Sequence, residues 1–513
     1  MKRTKLLDLQ ALNRRNLMRI SAGGCAAMTN TSLISTIMNM SATNSAVAQG
    51  SGGVTGYKAM VCMFLYGGND SYNMLSPATG QERADYLAAR GGEHSPSNTA
   101  ALGLPENASQ NVTDSASGRQ FMLHPSMPQM KDLYNAGKAA FVCNIGSLVE
   151  PTTMAQYNAG TNLPLGLFSH ADLQQHWMTS VPQTRSQVTG WAGRMADLVT
   201  SNTSSAISMN ISIDNVNMMQ TGGTVVPYVI GTGGNYTDGN GVVQGNGGAQ
   251  EVWLYDRNWA QSQIFTQMTD DYLTREYGNL MEKTFAQQNG VALDAAIEFN
   301  RATTQQSVIS KVDSYFPLDS DRPTTLQRKL RSVARAIAAS SAGGQVDLGG
   351  GPVIDQSRQS FFVSDSGYDN HDELIYNQAN LLSELSEAIA NFQACMDGLG
   401  ISDDVVLFTA SDFARTLNSN GKGSDHAWGG VSMIVGGGVD GGRMYGTYPG
   451  SLAPGNDLDL GRGRLLPTTS VDELAAELAL WYGVGNNNDL VDILPNIRNF
   501  FSTGGGGPLG ALV

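Results

Sequence analysis

Between Tyr57 and Tyr66 the chain reads Tyr-Lys-Ala-Met-Val-Cys-Met-Phe-Leu-Tyr, then stops at Gly67-Gly68-Asn69-Asp70-Ser71. An apolar run without alternation has no polar face to offer water, so it predicts a strand covered on both sides. The glycine turn at its end presents polar groups at the strand's carboxyl end. Ala139–Ile145, Gln359–Val363, Asp404–Ala410 and Val431–Val435 read the same way. Helical patterns lie between them: 126–136, Ser169–Met178 with Ser169 placed to cap it, Gly190–Val199, 372–398 and Val471–Tyr482. Strands alternating with helices predict an α/β fold, a mostly parallel sheet flanked by helices in three layers. In such sheets, sites lie beyond the carboxyl ends of the strands.

Two stretches interrupt this alternation. Residues 200–250 are rich in Asn, Thr, Ser and Gly, with a glycine-laden tip at 232–248, and predict an inserted β- and loop-rich lobe. From Asn258 to about Ala342 the pattern is helical, so the insert runs over about 200–345. The Gly-rich end, 503–513, reads as a flexible tail. The remainder, 49–502, reads as one large domain.

The start of the chain is different in charge. Residues 1–48 carry Lys2, Arg3, Lys5, Arg14, Arg15 and Arg19 against Asp8 alone. The whole chain has a net charge of −14, which leaves about −19 beyond residue 48. A basic start, a weakly apolar stretch from Leu17 to Met40 and Ala46-Val47-Ala48 predict an export signal cleaved before Gln49. Asn13-Arg14-Arg15-Asn16-Leu17-Met18-Arg19 resembles the box read by the twin-arginine export machinery, which carries folded proteins. The expected location is therefore periplasmic or secreted, with no stable membrane span in the mature chain. Cys25 lacks a lipoprotein box, and Cys62, Cys143 and Cys395 read as core thiols with room for one bridge at most. The acidic balance excludes a nucleic-acid partner, and Gly436-Gly437-Gly438 opens no helix, so no nucleotide loop follows.

Four sheet-end segments deliver metal-ligand side chains: Asp70; Asp369 with His371; Asp412 with Arg415; and His426 within Ser424-Asp425-His426-Ala427-Trp428-Gly429-Gly430. Divalent ions are held by carboxylates and neutral imidazoles converging from separate elements. Two of only six histidines fall in such positions, so the constellation weighs more than any one Asp. Ser169, a hydroxyl at a helix start, is the candidate nucleophile, with Ser71 as the second. His170 and His176 stand ready to orient it or bind substrate, and Arg415 to clamp an ester oxyanion.

Phe-Leu-Tyr-Gly-Gly-Asn-Asp (64–70), Leu-His-Pro (123–125), Ser-His with a later Trp (169–177), Gly-Tyr-Asp-Asn-His (367–371), Ser-Asp-Phe-Ala-Arg-Thr (411–416) and Ser-Asp-His-Ala-Trp-Gly-Gly (424–430) occur in this order. Together they resemble the domain-of-unknown-function 1501 family, grouped with the alkaline phosphatase and sulfatase superfamily. The resemblance implies an alkaline phosphatase-like fold with one or two divalent metals (zinc, calcium or manganese) at the sheet ends. It assigns Asp70, Asp369, His371, Asp412 and His426 as ligands. Two departures stand out. Phe413 occupies the place of a histidine ligand of the second metal, and the Asp369–His371 spacing is shorter than the superfamily's. The expected function is an exported metal-dependent hydrolase of phosphate or sulfate esters acting on a small anionic substrate. The rival is a secreted binding or structural protein that keeps the fold with a decayed site. An assembly factor for another exported protein is a third possibility.

Overall fold

The computed structural model describes residues 56–199, 207–213, 215–230, 298–316, 325–340, 353–485, 487–502 and 506–513, with isolated positions between 271 and 351. The export signal, the glycine tip at 232–248 and most of the helical segment from 258 lie outside the described residues. The strands are β1 (Lys58–Tyr66), β2 (Leu75–Pro77), β3 (Asn111–Thr113), β4 (Gln120–Leu123), β5 (Ala139–Gly146), β6 (Asn210–Ile213), β7 (Tyr228–Ile230), β8 (Arg358–Ser366), β9 (Val405–Ser411), β10 (Gly430–Gly436), β11 (Met444–Gly446) and β12 (Thr469–Ser470). A nine-stranded sheet runs β11-β5-β10-β9-β1-β8-β6-β7, with β12 also on β5, and β2-β4-β3 form a small antiparallel sheet.

The unbroken apolar runs occupy the middle of the large sheet. In β1 every residue from Ala59 to Leu65 is buried, with Met60, Cys62 and Phe64 in one core layer and Val61, Met63 and Leu65 in the other. The helices α1 (Ser71–Met74), α2 (His170–Thr179), α3 (Trp191–Leu198), α4 (Thr325–Ala338), α5 (Leu374–Gly398) and α6 (Val471–Tyr482) include those that cover these layers. Met195 of α3 and Leu474 and Leu478 of α6 pack on the Phe64 face, whereas Leu330 of α4 and Leu385 and Ile389 of α5 pack on the Val61 face. This is the expected three-layer α/β arrangement. Cys62, Cys143 and Cys395 are buried free thiols. No helix among the described residues is long and apolar enough to cross a membrane.

Register sets where the loops emerge. Tyr66 of β1 aligns with Ser366 of β8, and Leu65 with Ser411 of β9, both in parallel. The segments after these strands (67–71, 367–371 and 412–416) therefore leave the sheet side by side. β10 runs antiparallel to β9, so its entry, 424–429, reaches the same edge. Glycine is required at the first turn. A Cβ on Gly67 (φ +117°) would sit 2.4 Å from the Asp369 nitrogen, and one on Gly68 (φ +86°) 2.4 Å from the Phe413 ring.

The described part of the predicted insert adds to the main sheet: β6 and β7 extend it in parallel from β8. The end of the chain is held rather than free over 509–513. The buried carboxylate of Glu477 accepts the amides of Leu509, Gly510, Ala511 and Leu512 at 2.7–3.1 Å.

At the start of α6, Asp472 is buried, and that burial pushes its carboxyl up to about 7 against the opposing Ser470 hydroxyl bond. The folded state thus keeps a proton that the unfolded chain releases near pH 4, so stability falls as pH rises from about 4 to about 7, by up to roughly 1.4 kcal/mol per unit. Asp472→Asn is expected to remove this part of the slope. Denaturant midpoints at pH 4 and pH 8 check it; a gap between variant and parent that does not change with pH would contradict it.

Candidate metal centre

Segments 414–416 and 425–428 pair with each other. Ala427 N donates to Ala414 O at 2.8 Å, Thr416 N to Asp425 O at 2.8 Å, and Arg415 bridges His426. This pairing brings His426 against the loop after β9. Arg415 then ties in the other loops. It is fully buried, and it donates to the Gly67 carbonyl, to the Ser424 hydroxyl and carbonyl, and to Asp369 Oδ1. Burial tends to raise the Asp369 carboxyl, but the hydrogen bond and charge of the Arg415 guanidinium hold it below the ordinary carboxylate range.

Three imidazoles surround that carboxylate. His371 Nε2 lies 3.0 Å and His426 Nε2 3.4 Å from Asp369 Oδ1, and His170 Nε2 lies 3.5 Å from Oδ2. The Nε2 atoms of His371 and His426 face one another at 3.0 Å. Each ring's other nitrogen meets an acceptor: His170 Nδ1 the Asp412 Oδ2 at 2.6 Å, His371 Nδ1 the Asp425 Oδ1 at 3.1 Å, and His426 Nδ1 the Phe168 carbonyl at 2.8 Å. With Nδ1 engaged by an acceptor in each ring, Nε2 is the nitrogen turned toward the Asp369 carboxylate. Burial, followed by the positive groups nearby, lowers the pKa of His426 and favours its neutral form.

The His371 and His426 Nε2 atoms are close enough to share a proton, whereas a metal ion would be met by His170, Asp369 and His426, with His371 beside them. With ligand atoms about 2.0–2.1 Å from a tetrahedral ion, neighbouring ligands lie about 3.3 Å apart; His170 and His426 lie 3.5 and 3.4 Å from the two oxygens of Asp369. His170, Asp369 and His426 in particular form a group able to hold a metal.

The structure distributes the sequence candidates as follows. Asp369, His371 and His426 meet, and the short spacing does not keep Asp369 from His371. His170, read from sequence as a partner of the nucleophile, joins them. Asp412, read as a ligand, stands behind His170 instead. It is wholly buried and accepts from His170 and from Gln174 Nε2 at 2.8 Å, the carboxylate–histidine arrangement that orients a ligating ring. Asp70 is not brought to the cluster; its buried carboxylate pairs with the buried Arg90 guanidinium. The Phe413 ring packs on His170 and His426 at 4.7 and 4.5 Å. Arg415 is enclosed by protein acceptors and is not free to clamp a substrate. Ser169 is the N-cap residue of α2, and its hydroxyl makes no capping hydrogen bond. Ser71 is buried and accepts from Val431 N at 2.9 Å. His176 is buried against Ser147, its pKa pushed down to about 4 by burial. Asp425 and Gln174 were not singled out in the sequence; Asp425 adjoins a motif histidine, and Gln174 lies one helical turn beyond His170.

The fold and site define an α/β protein with a candidate His/Asp metal centre at the carboxyl edge of its sheet. The chain belongs to the family described as protein of unknown function (DUF1501), whose sequence model matches residues 57–484. No curated protein matches it. Among solved structures, the crystal structure of Ps i-CgsB in complex with k-i-k-neocarrahexaose is similar at 9% identity and a TM-score of 0.28, covering 88% of this chain and 78% of that one. A likeness at that level carries no argument about function.

Asp70 and Asp369 are expected to separate in their effects. Asp70→Ala leaves Arg90 buried without its anion and is expected to cost about 3–5 kcal/mol while metal content stays unchanged. Asp369→Asn is expected to lose the metal with a smaller stability change. Chemical denaturation with elemental analysis checks both, and metal loss from the Asp70 variant under folding conditions would contradict the assignment.

Proposed function

We propose that the protein is an exported, metal-dependent hydrolase of phosphate or sulfate esters. The observation that carries the reading is the convergence of three imidazole Nε2 atoms on one arginine-held carboxylate. The basic start of the chain and the superfamily resemblance support export and the ester class.

His170, His371, His426 and Asp369 would hold the ion. A divalent ion there supplies Lewis-acid polarisation of an ester oxygen and a water acidic enough to react near neutral pH. Three imidazoles with one carboxylate favour zinc or manganese over calcium, which takes six to eight oxygen ligands. Asp412, Asp425 and the Phe168 carbonyl fix the ring orientations, and Arg415 fixes Asp369. A single ion is expected, because Phe413 fills one ligand place of the second metal and Arg90 engages Asp70. Water is the proposed nucleophile, since Ser169 is not among the residues of the cluster, and the helix start supplies positive field toward the anion.

The Phe413 packing and the Asp70–Arg90 pair also favour a second reading, a binding protein whose ancestral two-metal chemistry is lost. Elemental analysis and a phosphate- and sulfate-ester panel decide between them. The hydrolase reading predicts one ion per chain, activity that disappears on chelation and returns with zinc or manganese, its loss in His426→Ala, and kcat within about threefold of wild type in Ser169→Ala. A metal-loaded chain inert toward the whole panel would favour the binding protein; loss of kcat in Ser169→Ala by orders of magnitude would make that serine the nucleophile.

A further inference from the structure

With Arg415 enclosed, a side-chain cation to meet an anionic substrate beside the proposed ion would come from elsewhere. Arg464 lies in the turn closed by the Asp459–Leu465 bridge. Gly461, Arg462 and Gly463 in this turn all have positive φ (95°, 64° and 68°). The Asp459 carboxylate accepts the Gly461 and Gly463 amides at 2.8 and 2.9 Å. The turn is fastened to the site loops, with Leu417 N donating to Gly463 O and Gly429 N to Leu465 O, both at 3.0 Å.

Arg464 Nε donates to the backbone carbonyl of His426 at 3.1 Å. Its guanidinium carbon lies 4.6 Å from the Phe168 ring centroid, and Phe168 is the residue whose carbonyl orients the His426 ring. The stack and the Nε bond fix the plane of the fork. The other cations near this edge are neutralised: Arg462 pairs with Asp425, Lys422 with Asp372 and Arg185 with Asp172. Half-buried Arg464 has no carboxylate partner among the described residues, and neither of its Nη atoms has an acceptor there. In a chain of net charge −14, an oriented and unneutralised guanidinium touching a metal-site residue is a receptor for an anion.

We propose that Arg464 is the specificity-determining residue of the site, its two Nη groups donating to oxygens of a tetrahedral oxyanion, phosphate or sulfate, at the metal cluster. The proposal rests on the reading that this cluster handles anionic esters. Calorimetric titration of the zinc-loaded chain with inorganic phosphate and with sulfate, alongside elemental analysis, tests it. Arg464→Gln is expected to weaken binding of the preferred anion by about tenfold or more with metal content unchanged, and Arg464→Lys to fall between. KM for a phosphate or sulfate monoester rises by the same factor as the Kd. Wild-type affinity in a metal-replete Arg464→Gln chain, or no binding of either anion by the wild type, overturns the inference. Loss of metal from Arg464→Gln while Arg464→Lys behaves as wild type also overturns it, since the residue would then only prop His426. Anion binding that depends on Arg464, with no ester hydrolysed, retains this inference and defeats the hydrolase reading instead.

Discussion

The Arg415 guanidinium holds the site together. It lies in the interior and reaches the turn after β1, the carboxylate after β8 and the segment before β10 at once. Three loops that register alone would merely place side by side are thereby fixed to one charged group. A buried charge of this kind is tolerated only where each donor finds an acceptor. That requirement turns Asp369 inward, and the three histidines are arranged about Asp369. Losing the guanidinium would leave a carboxylate among imidazoles with nothing to keep it in place.

Around that anchor the site is built by orientation more than by proximity. Each imidazole is turned by an acceptor from a different part of the chain: a carboxylate after β9, a carboxylate before β10, and a backbone carbonyl at the start of α2. Their common effect is to aim three Nε2 atoms at one place. The Phe413 ring against two of these imidazoles supplies the dry side of the site, where electrostatic interactions are stronger than in water.

The sheet was legible because strands buried on both faces leave long apolar runs, as from Ala59 to Leu65. β6 and β7 were harder: Asn210-Ile211-Ser212-Ile213 alternates like a partly exposed strand, yet Asn210 and Ser212 are buried, with Asn210 Nδ2 donating to the Gln220 backbone carbonyl and Asn217 Nδ2 donating to the Ser212 hydroxyl. No local pattern announces those partners. At the site, Asp369, His371 and His426 were legible as ligand-type residues at strand ends. His170 and Asp412 were both noticed, but the sequence shows neither the 2.6 Å bond between them nor that His170 is the one facing Asp369. Asp70 fits a metal ligand in sequence, and only Arg90, twenty positions on, makes it a structural anion. For the two arginines the difference is burial: Arg415 stands in a motif and is enclosed, whereas Arg464 stands in a glycine turn and is open.

That a divalent ion is held by these imidazoles and Asp369 is the proposal on which the functional reading rests. X-ray absorption spectroscopy of the zinc-reconstituted chain tests it most directly. The account predicts a coordination shell at about 2.0–2.1 Å whose outer-shell scattering fits three imidazoles, falling to two in His170→Ala. A shell of oxygen scatterers without imidazole, or an imidazole count unchanged in His170→Ala, would contradict it.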